Sequence, residues 1–254
     1  MKFMHLKFII LKISHIYIVL PLIIIRYIFI NRKIFFHAIC LALISMLFSH
    51  ALKITFAMPL PDGVNSNSFA FPSGHMQFAV SLYGYLFTQF RNLYVRGLII
   101  FLLINLGISL VSWGYHYVMD IFGAVFFAIL LIKFYIFSLN HYFQQHKSII
   151  IIFCSILMLY IYIRSSLAPH LFMGYFSLIG LFLTEKYGDI QDRQSIKYKC
   201  LAVIICIGFL GTIYYIFNSQ MIADQTSYLS HFKWILIGMS IPTSVALSNY
   251  FEKN

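Results

Sequence analysis

The chain contains little charge for its length. Of its 254 residues, only 10% are Asp, Glu, Lys or Arg, whereas 61% are hydrophobic. A soluble domain of this size has about a quarter of its residues charged. Apolar runs of roughly 18 residues or more recur along the sequence, and a helix of that length crosses a bilayer. The composition therefore excludes an ordinary soluble fold and indicates a polytopic membrane protein.

Acidic residues are scarcer than basic ones. The chain has 7 Asp and Glu against 18 Lys and Arg, which gives a formal net charge of +11. The basic residues lie at the ends of apolar runs, as in membrane proteins that keep positive charge on the cytoplasmic side. They form no stripe interleaved with stacking aromatic residues, so the charge does not indicate nucleic-acid binding.

Cysteine is also rare. The four cysteines, Cys40, Cys154, Cys200 and Cys206, all lie inside apolar runs and lack the spacing of metal ligands. They imply no disulfide framework, and we expect them to be small buried hydrophobic residues.

Apolar runs separated by charged and turn residues predict about nine transmembrane helices, because an open strand edge would be left unsatisfied in lipid. The runs are approximately 6–30, 34–52, 74–90, 97–115, 117–139, 148–164, 167–184, 200–217 and 233–250. The first is too long for a signal-peptide core and has no small-residue cleavage site, so we expect it to be retained. The predicted fold class is an all-α transmembrane bundle.

Basic residues are unevenly distributed between the two ends of the predicted spans. If the short basic loop at 91–96 faces the cytoplasm, most loop lysines and arginines fall on that side. The opposite loops, including 53–73 and the residues before 117, are poor in Lys and Arg. The lysines of the N-terminal tail are an exception. The positive-inside rule thus predicts that both opposite loops lie on the non-cytoplasmic face.

The stretch "SLVSWGYHYVMDIFGAV" (109–125) combines a histidine with a carboxylate. His116 and Asp120 are four residues apart, so on a helix they share one face. A carboxylate at the start of an apolar run needs a partner. Asp120 would fix the imidazole tautomer and make the other ring nitrogen a better nucleophile or base. Taken alone, this spacing is more often that of a structural pair at the membrane interface.

The stretch "FAFPSGHMQFAV" (69–80) places a second histidine, His75, on the same predicted side of the membrane. Ser73 and Gly74 precede a helix whose first N–H groups suit a phosphate. Gly74 also lets the backbone approach an anion closely. Lys53 ends the preceding span on this face. Together with the His–Asp pair, these residues indicate a metal-independent phosphoryl-transfer site.

"PSGH" (72–75) followed by His-x3-Asp (116–120) resembles the type-2 phosphatidic acid phosphatase superfamily, which includes the vanadium haloperoxidases. The family signature is Lys-x6-Arg-Pro, then Pro-Ser-Gly-His, then Ser-Arg-x5-His-x3-Asp. "KITFAMPLP" (53–61) resembles the first part, and "SLVSWGYHYVMD" (109–120) resembles the third. The resemblance covers about 34–139. It implies a phosphatase-like core there, preceded by an N-terminal span (1–33) and followed by helices of unknown role (140–254).

The resemblance also implies a role for each matching residue. His116 attacks phosphorus, Asp120 orients it, and His75 protonates the leaving oxygen and then activates water. Three groups hold the phosphoryl oxygens: Lys53, the Ser73 hydroxyl and the Gly74 amide. The implied reaction needs no metal and no organic cofactor.

Both signature arginines are missing, because Leu60 and Leu110 stand at their positions. A hydrogen bond to a charged group contributes about 1.5–3 kcal/mol. Two such losses amount to about 3–6 kcal/mol, or roughly two to four orders of magnitude in rate. Restoring arginine at both positions is expected to raise the turnover of phosphomonoesters.

The residues leave three functions open. The first is a phosphatase acting on phosphatidate-like or polyprenyl phosphates from the bilayer. The second is a lipid head-group phosphotransferase, because "HYVMDIFGA" is similar to the His-Tyr-x-x-Asp stretch of sphingolipid synthases. The third is a catalytically weak relative with a binding or structural role. The expected location is a bacterial inner membrane, and the C-terminal helices are candidates for a homo-oligomer contact or a lipid-tail site.

Overall fold

A computed structural model describes residues 16–61, 68–165, 167–188, 195–218 and 228–253. These residues form nine α-helices, and there is no strand among them. The helices are α1 (Ile16–Phe29), α2 (Arg32–Phe56), α3 (Gly74–Gln89), α4 (Leu93–Ser112), α5 (Val118–His141), α6 (His146–Arg164), α7 (Pro169–Gly188), α8 (Ile196–Asn218) and α9 (Tyr228–Lys253). The prediction of an all-α helical bundle is confirmed.

Each predicted apolar run corresponds to one helix, although the helices differ in their ability to cross a membrane. Within the described ranges, α2, α4, α5, α6 and α8 are long and apolar enough to do so. α1 is a shorter apolar helix interrupted by Pro21. α3 has 16 residues. Residues 6–15 of the predicted first span lie outside the described residues.

The short basic connection between α3 and α4 is fixed by its own polar side chains. The Asn92 side chain accepts a hydrogen bond from the Tyr94 N–H at 2.8 Å and thereby caps α4. Arg96 Nε donates to the carbonyls of Phe90 (2.7 Å) and Phe87 (3.2 Å) at the end of α3. These bonds satisfy carbonyls that the end of a helix leaves without partners.

The described residues divide into two units, the first of which contains 16–21 and 44–167. An apolar cluster joins its α3, α4 and α5: Met76, Ala79, Val80, Leu106, Leu110, Ala124 and Ala128. Alanines on α3 and α5 allow the helix backbones to approach closely. On the outside of this unit, large side chains such as Ile108, Phe122 and Ile156 are exposed, as on a lipid-facing surface.

The second unit contains residues 22–43 and the described part of 168–254. Glycines bring α7 and α9 into close contact. A Cβ atom at Gly180 would lie 2.1 Å from the Ile235 carbonyl oxygen, and one at Gly238 would lie 2.1 Å from that of Ser177. The Ser177 hydroxyl donates to the Trp234 carbonyl at 3.2 Å. Such small-residue contacts are typical of helices that associate within membranes.

Cysteine burial follows the prediction at three of four positions. Cys40, Cys154 and Cys206 are buried, whereas Cys200 is exposed. Cys200 lies near the start of α8, and only 11% of the apolar stretch of this helix is buried. Among the described residues, no group of His, Cys, Asp and Glu is arranged to hold a metal ion.

The loop before α3 is held between α2 and α5 by Phe71. A Cβ atom at Gly123 would lie 2.2 Å from the Phe71 ring, so the ring occupies the space above this glycine. The Phe71 ring also contacts the rings of Phe56 (centroids 4.9 Å apart) and Phe127 (6.3 Å). This packing fixes the polypeptide immediately before Ser73.

Gly123→Ala should displace Phe71 and disturb the loop that it holds. We expect a loss of about 1–3 kcal/mol in unfolding free energy, as for other overpacked positions. Gly97→Ala on α4 is the matched control, because a Cβ atom there meets nothing within 4 Å. Thermal unfolding of both variants in detergent measures the difference. Equal stability of the two variants would show that Phe71 does not depend on Gly123.

Candidate active site

His116 and Asp120 form a pair at the junction of α4 and α5. His116 lies in the turn between the helices, and Asp120 is the third residue of α5. His116 Nδ1 is 3.2 Å from Asp120 Oδ2, which also accepts the Tyr117 N–H at 2.8 Å. The prediction that the two residues share one helix face was wrong, because only Asp120 belongs to a helix. The Asp120 carboxylate instead reaches back from the first turn to a histidine that precedes the helix.

The turn that carries His116 depends on a glycine. Gly114 has φ of +71°, a left-handed conformation common where a helix ends. Its N–H donates to the Val111 carbonyl at 2.9 Å, and the Tyr115 N–H donates to that of Leu110 at 3.1 Å. These bonds close the end of α4 and direct the chain toward His116.

A backbone hydrogen bond joins the two sequence motifs. The Ser73 N–H donates to the main-chain carbonyl of Asp120 at 3.1 Å. Because Ser73 immediately precedes α3, this bond places the start of α3 beside the start of α5. The Ser73 side chain is fully buried at this point. Ser73 and Asp120 are thus neighbours in space although they are distant in sequence.

Lys53 lies beside the same helix start. Its Nζ donates to the Phe69 carbonyl. A Cβ atom at Gly74 would lie 3.7 Å from Lys53 Cε and 3.4 Å from the Ser49 hydroxyl, so the lysine side chain passes directly over Gly74. The Lys53 charge acts electrostatically on both Asp120 and His116. The structure therefore brings together five of the six predicted residues: Lys53, Ser73, Gly74, His116 and Asp120.

His75, the sixth predicted residue, has a different environment. It occupies the first turn of α3 directly after Gly74, and its side chain is exposed. It therefore lies at the same end of α3 as Ser73, on the accessible side of the cluster. Its role as the proton donor stays a prediction from the sequence motif.

The two leucines at the signature arginine positions have unlike surroundings. Leu110 is only 2% exposed and belongs to the apolar cluster between α3, α4 and α5. Leu60 is partly exposed in the segment after α2. Position 110 thus lies in the apolar core, where a guanidinium group would be buried.

Four buried polar atoms on α3 or on the residue before it have no hydrogen-bond partner within the described part of the chain. They are Ser73 Oγ, Gln77 Nε2, Gln77 Oε1 and Ser81 Oγ. An unsatisfied buried polar group costs about 1–3 kcal/mol. The four-residue spacing of Ser73, Gln77 and Ser81 in an otherwise apolar helix is visible in the sequence. Ser49, by contrast, reaches the site only through tertiary contact, and sequence reasoning missed it.

The surroundings of His116 favour its neutral form. Burial lowers the pKa of His116 below its ordinary value of 6.5, and the positive charge of Lys53 lowers it further. The Asp120 carboxylate and a hydrogen bond to the Ala70 backbone act in the opposite direction. The net shift is downward, so the ring is unprotonated at neutral pH. A neutral imidazole has a lone pair for nucleophilic attack or for accepting a proton.

This pKa is directly measurable by NMR titration of the His116 ring in detergent-solubilised protein. We expect a midpoint below 6.5, with the resonance identified by its absence from His116→Gln. Lys53→Met should raise the midpoint, because it removes a positive charge that disfavours the imidazolium ion. Asp120→Asn should lower it. A midpoint above 6.5 in the unmodified protein would contradict this electrostatic description.

One family of known proteins matches part of this chain. Residues 33–144 match the sequence model of the PAP2 superfamily, and all six predicted site residues lie inside the matched segment. This part of the chain belongs to the type-2 phosphatidic acid phosphatase superfamily, whose members are generally phosphoric ester hydrolases. With its apolar helices, the chain is an integral membrane protein. No curated protein and no solved structure matches the chain significantly.

Proposed function

We propose that this chain is an integral-membrane lipid phosphatase that hydrolyses a phosphomonoester or diphosphate through a phosphohistidine. The observation that carries the proposal is the His116–Asp120 pair, with Nδ1 and Oδ2 3.2 Å apart. The Ser73 N–H is bound to the Asp120 backbone, and Lys53 lies over Gly74. A nucleophile, its orienting carboxylate and donors for an anion thus lie in one place.

In the first step, His116 attacks phosphorus. Because Nδ1 faces Asp120, Nε2 is the nitrogen that forms the N–P bond. For a monoester, the bond between phosphorus and the lipid oxygen breaks, and His75 gives its proton to that oxygen, which leaves as the lipid alcohol. For a diphosphate, the bond between the terminal phosphorus and the bridging oxygen breaks, His75 gives its proton to that oxygen, and the lipid monophosphate leaves. The Asp120 carboxylate stabilises the positive charge that develops on the His116 ring.

In the second step, water resolves the intermediate. His75, now neutral, accepts a proton from the water as its oxygen forms a bond to phosphorus. The N–P bond breaks, the electron pair returns to His116, and inorganic phosphate leaves. Throughout both steps Lys53, the Ser73 hydroxyl and the Gly74 amide hold the non-bridging oxygens, where negative charge is concentrated.

The substrate we propose is a lipid phosphate that enters laterally from the bilayer. Helices α4, α5 and α6 belong to the same unit as the site and carry large exposed apolar side chains. Such surfaces contact lipid tails. The charge asymmetry of the loops supports a site on the non-cytoplasmic face. A reporter fused within residues 62–68 that reads as cytoplasmic would overturn this orientation.

A lipid head-group phosphotransferase is the second candidate. Burial of Leu110 in the apolar cluster favours it, because a singly charged phosphodiester needs less positive charge than a dianionic monoester. In this reaction a lipid alcohol replaces water in the second step. His75 deprotonates that alcohol, and the phosphoryl group passes from His116 to it with its remaining substituent.

The test uses purified full-length protein in detergent with a panel of lipid phosphates, and a parallel sample with a phospholipid donor and a lipid alcohol acceptor. Release of inorganic phosphate that requires His116 would support the phosphatase. Head-group transfer without phosphate release would replace it with the phosphotransferase. Neither activity in folded protein would overturn both and favour a catalytically weak relative.

A further inference from the structure

Gln77 is a buried polar residue for which the reaction described above has no use. Its side chain is fully buried, and neither amide atom has a hydrogen-bond partner among the described residues. In native proteins nearly all buried side-chain amides are hydrogen-bonded, so an exception points to a partner that arrives with a ligand. The Ser73 hydroxyl, one turn away, is equally buried and equally unpartnered.

Helix geometry directs Gln77 toward the start of α3. The Gln77 N–H donates to the Ser73 carbonyl at 2.9 Å, so the two residues lie one turn apart on the same face. One turn of helix rises about 5.4 Å, and helical side chains lean toward the N-terminus. The extended Gln77 side chain therefore reaches the level of Ser73 and Gly74. Lys53 passes over Gly74 at this same point.

The amide supplies a donor at a site that lacks both signature arginines. Leu110 packs in the cluster that includes Met76 and Val80, which occupies another face of α3. Gln77 Nε2 carries two N–H groups, and an amide donates to a phosphoryl oxygen as a guanidinium does, without its charge. A neutral donor also avoids the cost of burying a cation.

We infer that Gln77 is a substrate-binding residue that donates a hydrogen bond from Nε2 to a non-bridging oxygen of the phosphoryl group. The inference rests on the proposed phosphoryl-transfer function and adds a neutral contact to it. Ser81 is a further turn along α3, about 12 Å from the level of Ser73 along the helix axis. It is therefore too deep to share the phosphoryl group.

Calorimetric titration with inorganic phosphate tests the inference on full-length protein in detergent. Gln77→Met keeps the length of the side chain and removes the donor, and we expect it to weaken phosphate binding about 10- to 100-fold. Ser81→Ala is the matched control, because it removes another buried unpartnered group from the same face. Its affinity for phosphate should stay within about twofold, the spread expected of a distant site.

Thermal unfolding separates binding from structure. Gln77→Met should be at least as stable as the unmodified protein, because it removes a buried amide that lacks partners. A purely structural glutamine would instead lose stability. If Gln77→Met does not fold, Gln77→Asn keeps the amide but withdraws it by one methylene, and weaker phosphate binding is again expected.

Unchanged phosphate affinity in the Gln77 variants, or equal losses in Gln77→Met and Ser81→Ala, would overturn the inference. The lipid-phosphate assay identifies which proposal has failed. If the protein hydrolyses lipid phosphates and the Gln77 substitution has no effect, the proposed function stands and the inference about Gln77 fails. If phosphate binding depends on Gln77 but no lipid phosphate is hydrolysed, the inference about Gln77 stands and the proposed function fails. A protein that neither binds nor releases phosphate overturns both.

Discussion

Replacing His116 with alanine is expected to lower phosphate release about 10⁴-fold or more, since loss of a nucleophile has effects of this order. No other described side chain is paired with Asp120 as His116 is, with Nδ1 and Oδ2 3.2 Å apart. The variant should fold, because His116 lies in a turn outside the helices. His141→Ala is the matched control, since it removes an exposed histidine at the other end of α5. Activity that survives in His116→Ala would remove the proposed nucleophile.

A companion variant, Asp120→Asn, separates charge from architecture. Ser73 is bound to the main-chain carbonyl of Asp120, and that bond is independent of the side chain. The asparagine carbonyl can still accept the Tyr117 N–H. What is lost is the negative charge beside His116, so we expect reduced turnover with the fold intact. Thermal unfolding and phosphate release measured on one preparation show whether the two effects separate.

Leu110→Arg is expected to destabilise the protein, whereas Leu60→Arg is expected to fold and to raise phosphomonoester turnover. Burying an unpaired guanidinium in the apolar cluster around Leu110 costs several kcal/mol. Leu60 is partly exposed after α2, so a long side chain there can keep its charge in contact with water. The family signature has arginine at both positions, but the two leucines differ in burial.

The measurement is the unfolding temperature of each variant and its turnover of a lipid phosphomonoester, with Leu60→Met as the control for side-chain length. We expect about a 10-fold gain for Leu60→Arg, corresponding to one charged hydrogen bond. A stable, more active Leu110→Arg variant would show that the cluster can open toward the site. Unchanged turnover in Leu60→Arg would mean that position 60 does not face the phosphoryl group.

The helices were predictable from the sequence because apolar length and breaks in polarity are local properties. Nine runs corresponded to nine described helices, and the described residues 57–61 and 68–73 of the predicted 53–73 loop lie between α2 and α3. Helix ends were less predictable. His116 was assigned to a helix face, but the Gly114 turn ends α4 early and α5 starts only at Val118. The His116–Asp120 pair forms nonetheless, because the Asp120 side chain at the third helical position reaches back to the residues before the helix.

The connections within the candidate site could not be read from the sequence. The Ser73–Asp120 backbone bond joins residues 47 positions apart, and Lys53 meets Gly74 only through packing of α2 on α3. The motif resemblance grouped these residues without giving their geometry. Burial of Leu110 and the unpartnered amide of Gln77 are likewise tertiary facts, because any of several helix packings could have exposed them.

Trapping the covalent intermediate tests the proposed mechanism most directly. Purified protein is mixed with a ³²P-labelled lipid phosphate, quenched in alkali within one turnover, and digested to locate the label. We predict label on the peptide that contains His116, stable in alkali and lost in acid, and absent from His116→Ala. Phosphate release with no label on this peptide, or label on a different residue, would contradict a reaction through His116.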